Sequence, residues 1–176
     1  FNNTAIGFQA LKLNTAGASN TAVGSNSMDV NTTGSNNSAY GYGTLGANTT
    51  GDSNTAIGYS ALNDNTVGYS NTAIGSQALS ANTTGHSNTA IGKFSLKGNT
   101  TGRYNTGVGM NSLIANTTGV RNTSIGYESL WANIVGGNNT ALGYQSLLLN
   151  TGSYNTGIGA GCLDANTTGA SNTAVG

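Results

Sequence analysis

Asn71-Thr72-Ala73-Ile74-Gly75-Ser76-Gln77-Ala78-Leu79-Ser80-Ala81-Asn82-Thr83-Thr84-Gly85-His86-Ser87 is one period of the chain, and Asn88-Thr89-Ala90-Ile91-Gly92 opens the next. The opening Asn recurs at Asn3, Asn20, Asn37, Asn54, Asn71, Asn88, Asn105, Asn122, Asn139, Asn155 and Asn172. Each step is 17 residues except the last but one, which is 16 because Asn150-Thr151-Gly152 lacks the second Thr of Asn-Thr-Thr-Gly. Ten complete repeats and the start of an eleventh fill residues 1–176 as a single array, which reads as an excerpt of a longer fibrous chain.

With the positions of a period numbered 1 to 17 from that Asn, some columns hold one shape throughout. Column 1 is Asn, column 2 Thr (Ser38 once), column 3 Ala, Gly or Ser, and column 4 mostly Ile, Val or Leu. Column 5 is Gly, column 8 small, column 9 Leu or Met, column 12 Asn and column 15 Gly. Columns 6, 7, 10, 16 and 17 vary and carry nearly every charge and most aromatics, as solvent-facing positions would.

A period this short cannot hold two helices, since helical-hairpin repeats need about 34 residues. Frequent Gly, Asn and Thr also disfavour helix. Asn-Thr-Ala-Ile-Gly reads as a short strand with Thr and Ile on one side and Ala and Gly on the other. Asn-Thr-Thr-Gly reads as a second short strand ending in a turn, with φ > 0 expected at the column 15 Gly and a bend or close neighbour at the column 5 Gly. The fold class is therefore all-β, a β-solenoid (parallel β-roll) of ten 17-residue coils. Equivalent residues then stack at ~4.8 Å per coil, giving a rod of ~48 Å. Stacked amides of Asn54, Asn71, Asn88, Asn105 and Asn122 are expected to form a structural ladder along the axis. With a column 4 aliphatic and a column 9 Leu as its only large apolar residues, each coil has a thin core. The small columns 3, 5 and 8 are suited to close approach by another chain, so burial between chains is expected as well.

Composition excludes several functions. Five basic and five acidic residues give a net charge of zero, which leaves no basic surface for nucleic acid. One Cys and one His cannot build a zinc site or an internal disulfide. No apolar run is long enough to insert in a membrane.

Asn71-Thr72-Ala73-Ile74-Gly75 followed by Ala78 resembles the Asn-Ser-Val-Ala-Ile-Gly-x-x-Ser head repeats of trimeric autotransporter adhesins. Similar Asn-Thr-Ala-Ile-Gly-Tyr-x-Ala-Leu repeats look like those of phage and large-virus tail-fibre shafts. The resemblance covers the whole chain. It implies a left-handed roll, three identical chains side by side (a homotrimer or higher homo-oligomer), and an extracellular, cell-surface or virion location. The implied role is a stalk or adhesive head that meets a host-surface glycan or receptor. The period here is longer than in those head repeats, and one residue is missing between Asn and the Ala-Ile-Gly core. No catalytic residue comes with the repeat.

The residues themselves offer little chemistry. Asp29, Asp52, Asp64, Glu128 and Asp164 lie scattered and read as solvated charges. His86 sits in a variable turn column, and Cys162 in the small column 8 reads as a packing residue. Neither catalytic residue, metal nor cofactor is expected, and an enzyme is the least favoured class. Thr stacks raise ice binding as an alternative: column 13 reads as outward, whereas column 14 reads as inward because Ala16, Val67 and Val135 replace Thr there, and column 2 reads as inward because it shares a face with the column 4 aliphatics. The Asn-x-Thr sequons at Asn48, Asn82 and Asn116 follow from the repeat itself and would be glycosylation acceptors only in a eukaryotic secreted protein. Ile114, Trp131 and Leu148 in column 10, with Tyr127 and Tyr144 in column 6, form a candidate exposed contact stripe, with sugar binding as its functional reading. A rod segment of a fibre or adhesin, an ice- or glycan-binding solenoid, and a self-assembling filament with open ends are the three functional classes that remain.

Overall fold

A computed structural model describes residues 1–176. Its eleven three-residue strands are β1 Thr4–Ile6, β2 Thr21–Val23, β3 Ser38–Tyr40, β4 Thr55–Ile57, β5 Thr72–Ile74, β6 Thr89–Ile91, β7 Thr106–Val108, β8 Thr123–Ile125, β9 Thr140–Leu142, β10 Thr156–Ile158 and β11 Thr173–Val175. They pair in sequence order as one parallel sheet. The register places each column on itself, as Thr72↔Thr89, Ala73↔Ala90 and Ile74↔Ile91. Each period is one coil of a parallel β-solenoid.

Stacking in register extends far beyond the strands. The Leu79 N–H donates to Ser95 O, Gly75 N–H to Ile57 O, and Ser87 N–H to Tyr69 O, so coils are stitched on every side. Of 117 backbone hydrogen bonds, 97 lie outside the strand ladders.

The expected second strand at Asn-Thr-Thr-Gly does not form. There the Thr83, Thr84 and Gly85 N–H groups all converge on Thr100 O, at 2.9, 3.3 and 3.3 Å. A strand needs its N–H groups to alternate in direction, whereas these share one acceptor. The Thr83 hydroxyl joins them at 3.1 Å. This bond is why column 13 favours Thr.

Two amide ladders line the interior. In the first, the Asn88 N–H donates to Asn71 Oδ1 at 3.0 Å and Asn88 Nδ2 donates to Gly102 O at 2.8 Å. Asn54, Asn71, Asn88, Asn105 and Asn122 repeat the N–H to Oδ1 bond coil after coil. The second runs through column 12, where Asn82 Nδ2 donates to Asn65 Oδ1 at 2.8 Å and to Gly85 O at 3.0 Å. These Asn side chains are buried through most of the array. Their bonds, with few large apolar groups beside them, form much of the interior.

The strand faces the opposite way from the sequence expectation. Column 3 (Ala56, Ala73, Ala90) and column 9 (Leu62, Leu79, Leu96) are fully buried and make the core with column 8. Columns 2 and 4 point outward; Ile57, Ile91 and Ile125 are exposed. The reason is room. A Cβ placed on Gly107 would lie 3.4 Å from Leu96 Cδ1 and 2.6 Å from Ser95 Oγ, so Leu and the small residue of column 8 already fill the interior opposite the strand. Columns 3 and 8 therefore face the coil's own interior, whereas the column 5 Gly is half-buried against the next coil. Column 14 is also reversed: Thr84 and Thr101 are exposed, and column 13 is half-buried.

The backbone reverses a further expectation. Left-handed φ falls at columns 5, 7, 9 and 17, not at the column 15 Gly. Column 9 is notable because Leu79 (φ 52°) and Leu96 (φ 51°) adopt it. That conformation costs about 1–2 kcal/mol for an L residue, and full burial of the Leu side chain, at about 2–3 kcal/mol, offsets it. The column 15 Gly is required by space: a Cβ on Gly85 would collide with Gly102 O and Asn82 Oδ1.

The short ninth coil is a fault in the stack. Ile134 and Val135 make no backbone hydrogen bond to it. Asn133 Oδ1 is buried without a partner. Asn155 Nδ2 turns instead to Asn150 Oδ1, 2.9 Å away. Coil eight, directly below, is the only one with aliphatics in both Thr positions, Ile134 and Val135. A column 13 hydroxyl there would have no carbonyl to reach. Inserting Thr between Thr151 and Gly152 should restore the ladder and raise stability by about 1–2 kcal/mol, after the ordering cost of one residue. An increase of several degrees in the thermal midpoint by circular dichroism would show it; an unchanged or lower midpoint would refute it.

Candidate contact surfaces

The most extensive surface feature is the outer face of the sheet. Each strand presents its first and third residues, so Thr of column 2 and the aliphatic of column 4 form two parallel rows along the rod. The column 4 row runs Ile6, Val23, Tyr40, Ile57, Ile74, Ile91, Val108, Ile125, Leu142, Ile158 and Val175. Most of these side chains are exposed, the rest half-buried. Successive members are ~4.8 Å apart, because parallel in-register pairing fixes them. Scattered exposed apolar residues are ordinary, but a continuous row is the mark of an interaction surface. The sequence pattern showed this row; its assignment to the interior hid its exposure.

The turn that follows each strand carries columns 6 to 11 and the sequence-derived stripe. Tyr127 and Tyr144 stack with ring centroids 5.6 Å apart and planes 10° apart. Trp131 is exposed, whereas Ile114 and Leu148 are half-buried. The stripe is thus led by Trp131 and the tyrosine pair. Beside it, Gln145 Nε2 donates to Glu128 Oε2 at 2.9 Å. That bond, then one from Tyr127, holds the Glu128 carboxyl below its ordinary range. Accepting from Tyr127, the same carboxylate raises the phenol above its ordinary value. At neutral pH Tyr127 is therefore a donor and Glu128 an ionised acceptor.

A second aromatic pair, Tyr42 and Tyr59, stacks at 5.7 Å and 9°. On the opposite turn Tyr69 stacks on His86 at 4.5 Å, and the edge of Tyr104 meets His86 at 5.2 Å. Lys93 and Lys97 each place Nζ 4.7 Å from the Phe94 ring. The aromatic pairs join neighbouring coils, whereas the two Lys contacts to Phe94 lie within coil six, and each contributes a modest ~0.5–1 kcal/mol where exposed.

No group of three or more His, Cys, Asp or Glu side chains could hold a metal ion. Cys162 is a half-buried free thiol in column 8. No helix is long and apolar enough to cross a membrane. The chain matches no protein-family model, no curated protein and no solved structure.

Proposed function

We propose that the chain is a structural, non-catalytic rod segment of an extracellular or virion fibre or adhesin, in which three copies of a left-handed roll pack side by side through the Thr/aliphatic face. The observation that carries this reading is the exposed column 4 row on an eleven-stranded sheet. A monomer gains nothing by exposing Ile57, Ile91 and Ile125 while burying Ala56, Ala90 and Ser124. Three chains meeting along that face bury the row, and equal spacing in every copy makes the match repeat at each coil. The resemblance to trimeric adhesin heads and tail-fibre shafts points to the same arrangement, with the chain number and handedness that it implies.

The same face supports one alternative. Two regular rows of Thr methyl/hydroxyl and aliphatic groups on an in-register sheet also suit ordered water, and so ice. The two readings exclude one another, because association covers the surface that ice would need. Sedimentation equilibrium decides between them: the expected mass is three times the 17.5 kDa chain, with no thermal hysteresis. A single-chain mass with thermal hysteresis would replace the fibre reading by ice binding. Indefinite growth at either end of the rod would replace it by a filament.

A further inference from the structure

Coil three alone has Gly in both column 7 (Gly43) and column 10 (Gly46). Column 10 holds Asp29 in the coil below and Asn63 in the coil above, so removing the side chain between them opens a notch in the ladder. The notch is the one cavity on the rod, about 390 Å³, lined among others by Asn26, Asp29, Tyr42, Gly43, Gly46 and Asn63. Its size is within the ~300–1,000 Å³ range of small-molecule sites.

Its chemistry is specific. Tyr59 stacks on Tyr42, but it is Tyr42 that lines the notch. Asn63 Nδ2 donates to Gly43 O at 2.7 Å, which holds that amide at the upper rim. Asp29 Oδ1 lies 3.7 Å from where a Gly46 Cβ would stand, at the lower rim. Asn26 Oδ1 is buried without a hydrogen-bond partner, as are Asn111 Oδ1 and Asn133 Oδ1 elsewhere in the chain, so its acceptor is free. The site thus pairs an aromatic ring with planar carboxylate and amide groups that can both accept and donate, and it contains no cation. A phosphate or acidic ligand finds nothing to neutralise it there, and a purely apolar ligand would strand Asp29 and both amides.

From this juxtaposition we propose that the notch of coils two to four binds an uncharged pyranose, at a terminal or exposed position of a glycan. The C–H face of the sugar lies against Tyr42, and adjacent hydroxyls are shared between Asp29, Asn26 and Asn63. The site needs one chain only, so it stands whether or not chains associate.

The repeat supplies variants that other coils already accommodate. Ser stands in column 6 at Ser25 and Ser76, so Tyr42→Ser keeps the coil. Column 7 holds Asn26 at φ 57° against 62° for Gly43, so Gly43→Asn fills the notch without altering the backbone. Its Cβ would meet only Asn63 Nδ2 at 3.4 Å and Ser60 Oγ at 3.6 Å. Saturation-transfer NMR with the intact chain, titrated with neutral hexoses, N-acetylhexosamines and glucuronate, gives the test. Saturable binding of a neutral or N-acetylated sugar is expected, with at least tenfold weaker binding in Y42S and in G43N and no change in Tyr104→Ser, an exposed column 17 position outside the notch where Ser70 and Ser87 stand in other coils. Circular dichroism confirms that each variant remains folded. The proposal is overturned if no neutral sugar binds, if glucuronate binds best, if Y42S and G43N leave binding unchanged, or if Y104S weakens it as much as they do.

Discussion

Gly75→Ala is expected to unfold the middle of the array, lowering stability by at least about 4 kcal/mol. Gly75 has φ +132°, a conformation that L residues rarely adopt. Its added Cβ would lie 2.7 Å from both the carbonyl carbon and oxygen of Gly92, and 3.1 Å from Lys93 N. Those are backbone atoms, so no side chain can swing aside. Nor can the next coil retreat, because the Gly92 N–H donates to Ile74 O at 2.8 Å. Strain and collision therefore act together. Gly43→Ala is the control: φ is +62°, other coils carry Asn, Ser or Gln at that column, and the nearest atom to its Cβ is 3.4 Å away. Thermal melts should show a large loss or a split transition for G75A and a shift of no more than a few degrees for G43A. Equal melting of the two variants would refute the account of column 5.

The contrast between these glycines shows what a single sequence can convey. The period, the coil and the two Asn columns are legible because identical positions must stack, and any side chain that bonds to its own copy is then selected at every step. The sense of the strand is not legible. Thr-Ala-Ile alternates cleanly, and hydrophobicity alone places Ile inside. The interior left beside Leu79 and Ala78 admits only Ala73, and that volume is known only once the turns are placed. Turn chemistry misleads in the same way. Gly at column 15 suggests positive φ, but packing against the next coil is what requires it, while Leu at column 9 takes the left-handed conformation with no local signal. Residue preference describes an isolated backbone, and here burial of the Leu side chain overrides it.

The surface is legible in part. The stack of Tyr127 on Tyr144 follows from their shared column, since in-register coils place them one above the other. The notch does not follow, although Gly43 and Gly46 are plain in the sequence. Variable columns read as solvent-facing, and a missing side chain matters only when the coils above and below are known to wall the gap. The Thr columns show the converse. Column 13 looked free, but its hydroxyls are committed to the carbonyl of the next coil, as from Thr66 to Thr83 O at 3.1 Å. Column 14 looked interior because aliphatics replace Thr there, although exposed positions near a turn tolerate Val67 and Val135 equally well.

Changing Ile57, Ile91 and Ile125 together to Lys is expected to convert the proposed trimer to folded monomers. All three side chains point away from the core and are exposed in the single chain, so their replacement removes little intramolecular packing. They lie in alternate coils, so the new ammonium groups are ~10 Å apart along the axis and repel one another weakly at physiological salt. In an assembly the consequences are severe. Each chain would lose three aliphatic contacts, worth about 1 kcal/mol or more apiece, and would bring three charges into an apolar seam where each costs several kcal/mol to desolvate. Across three chains the apparent association constant should fall by far more than a thousandfold. Sedimentation should then show a fall from triple to single chain mass, with the circular dichroism spectrum of the solenoid retained. Lysine in place of Thr84, Thr101 and Thr118, which are exposed on another side of the coil, should leave the mass unchanged. If the column 4 variant keeps the mass of the parent, the chains do not meet through this face. If the parent itself is a single chain, loss of thermal hysteresis in the same variant would instead identify the row as an ice-contacting surface.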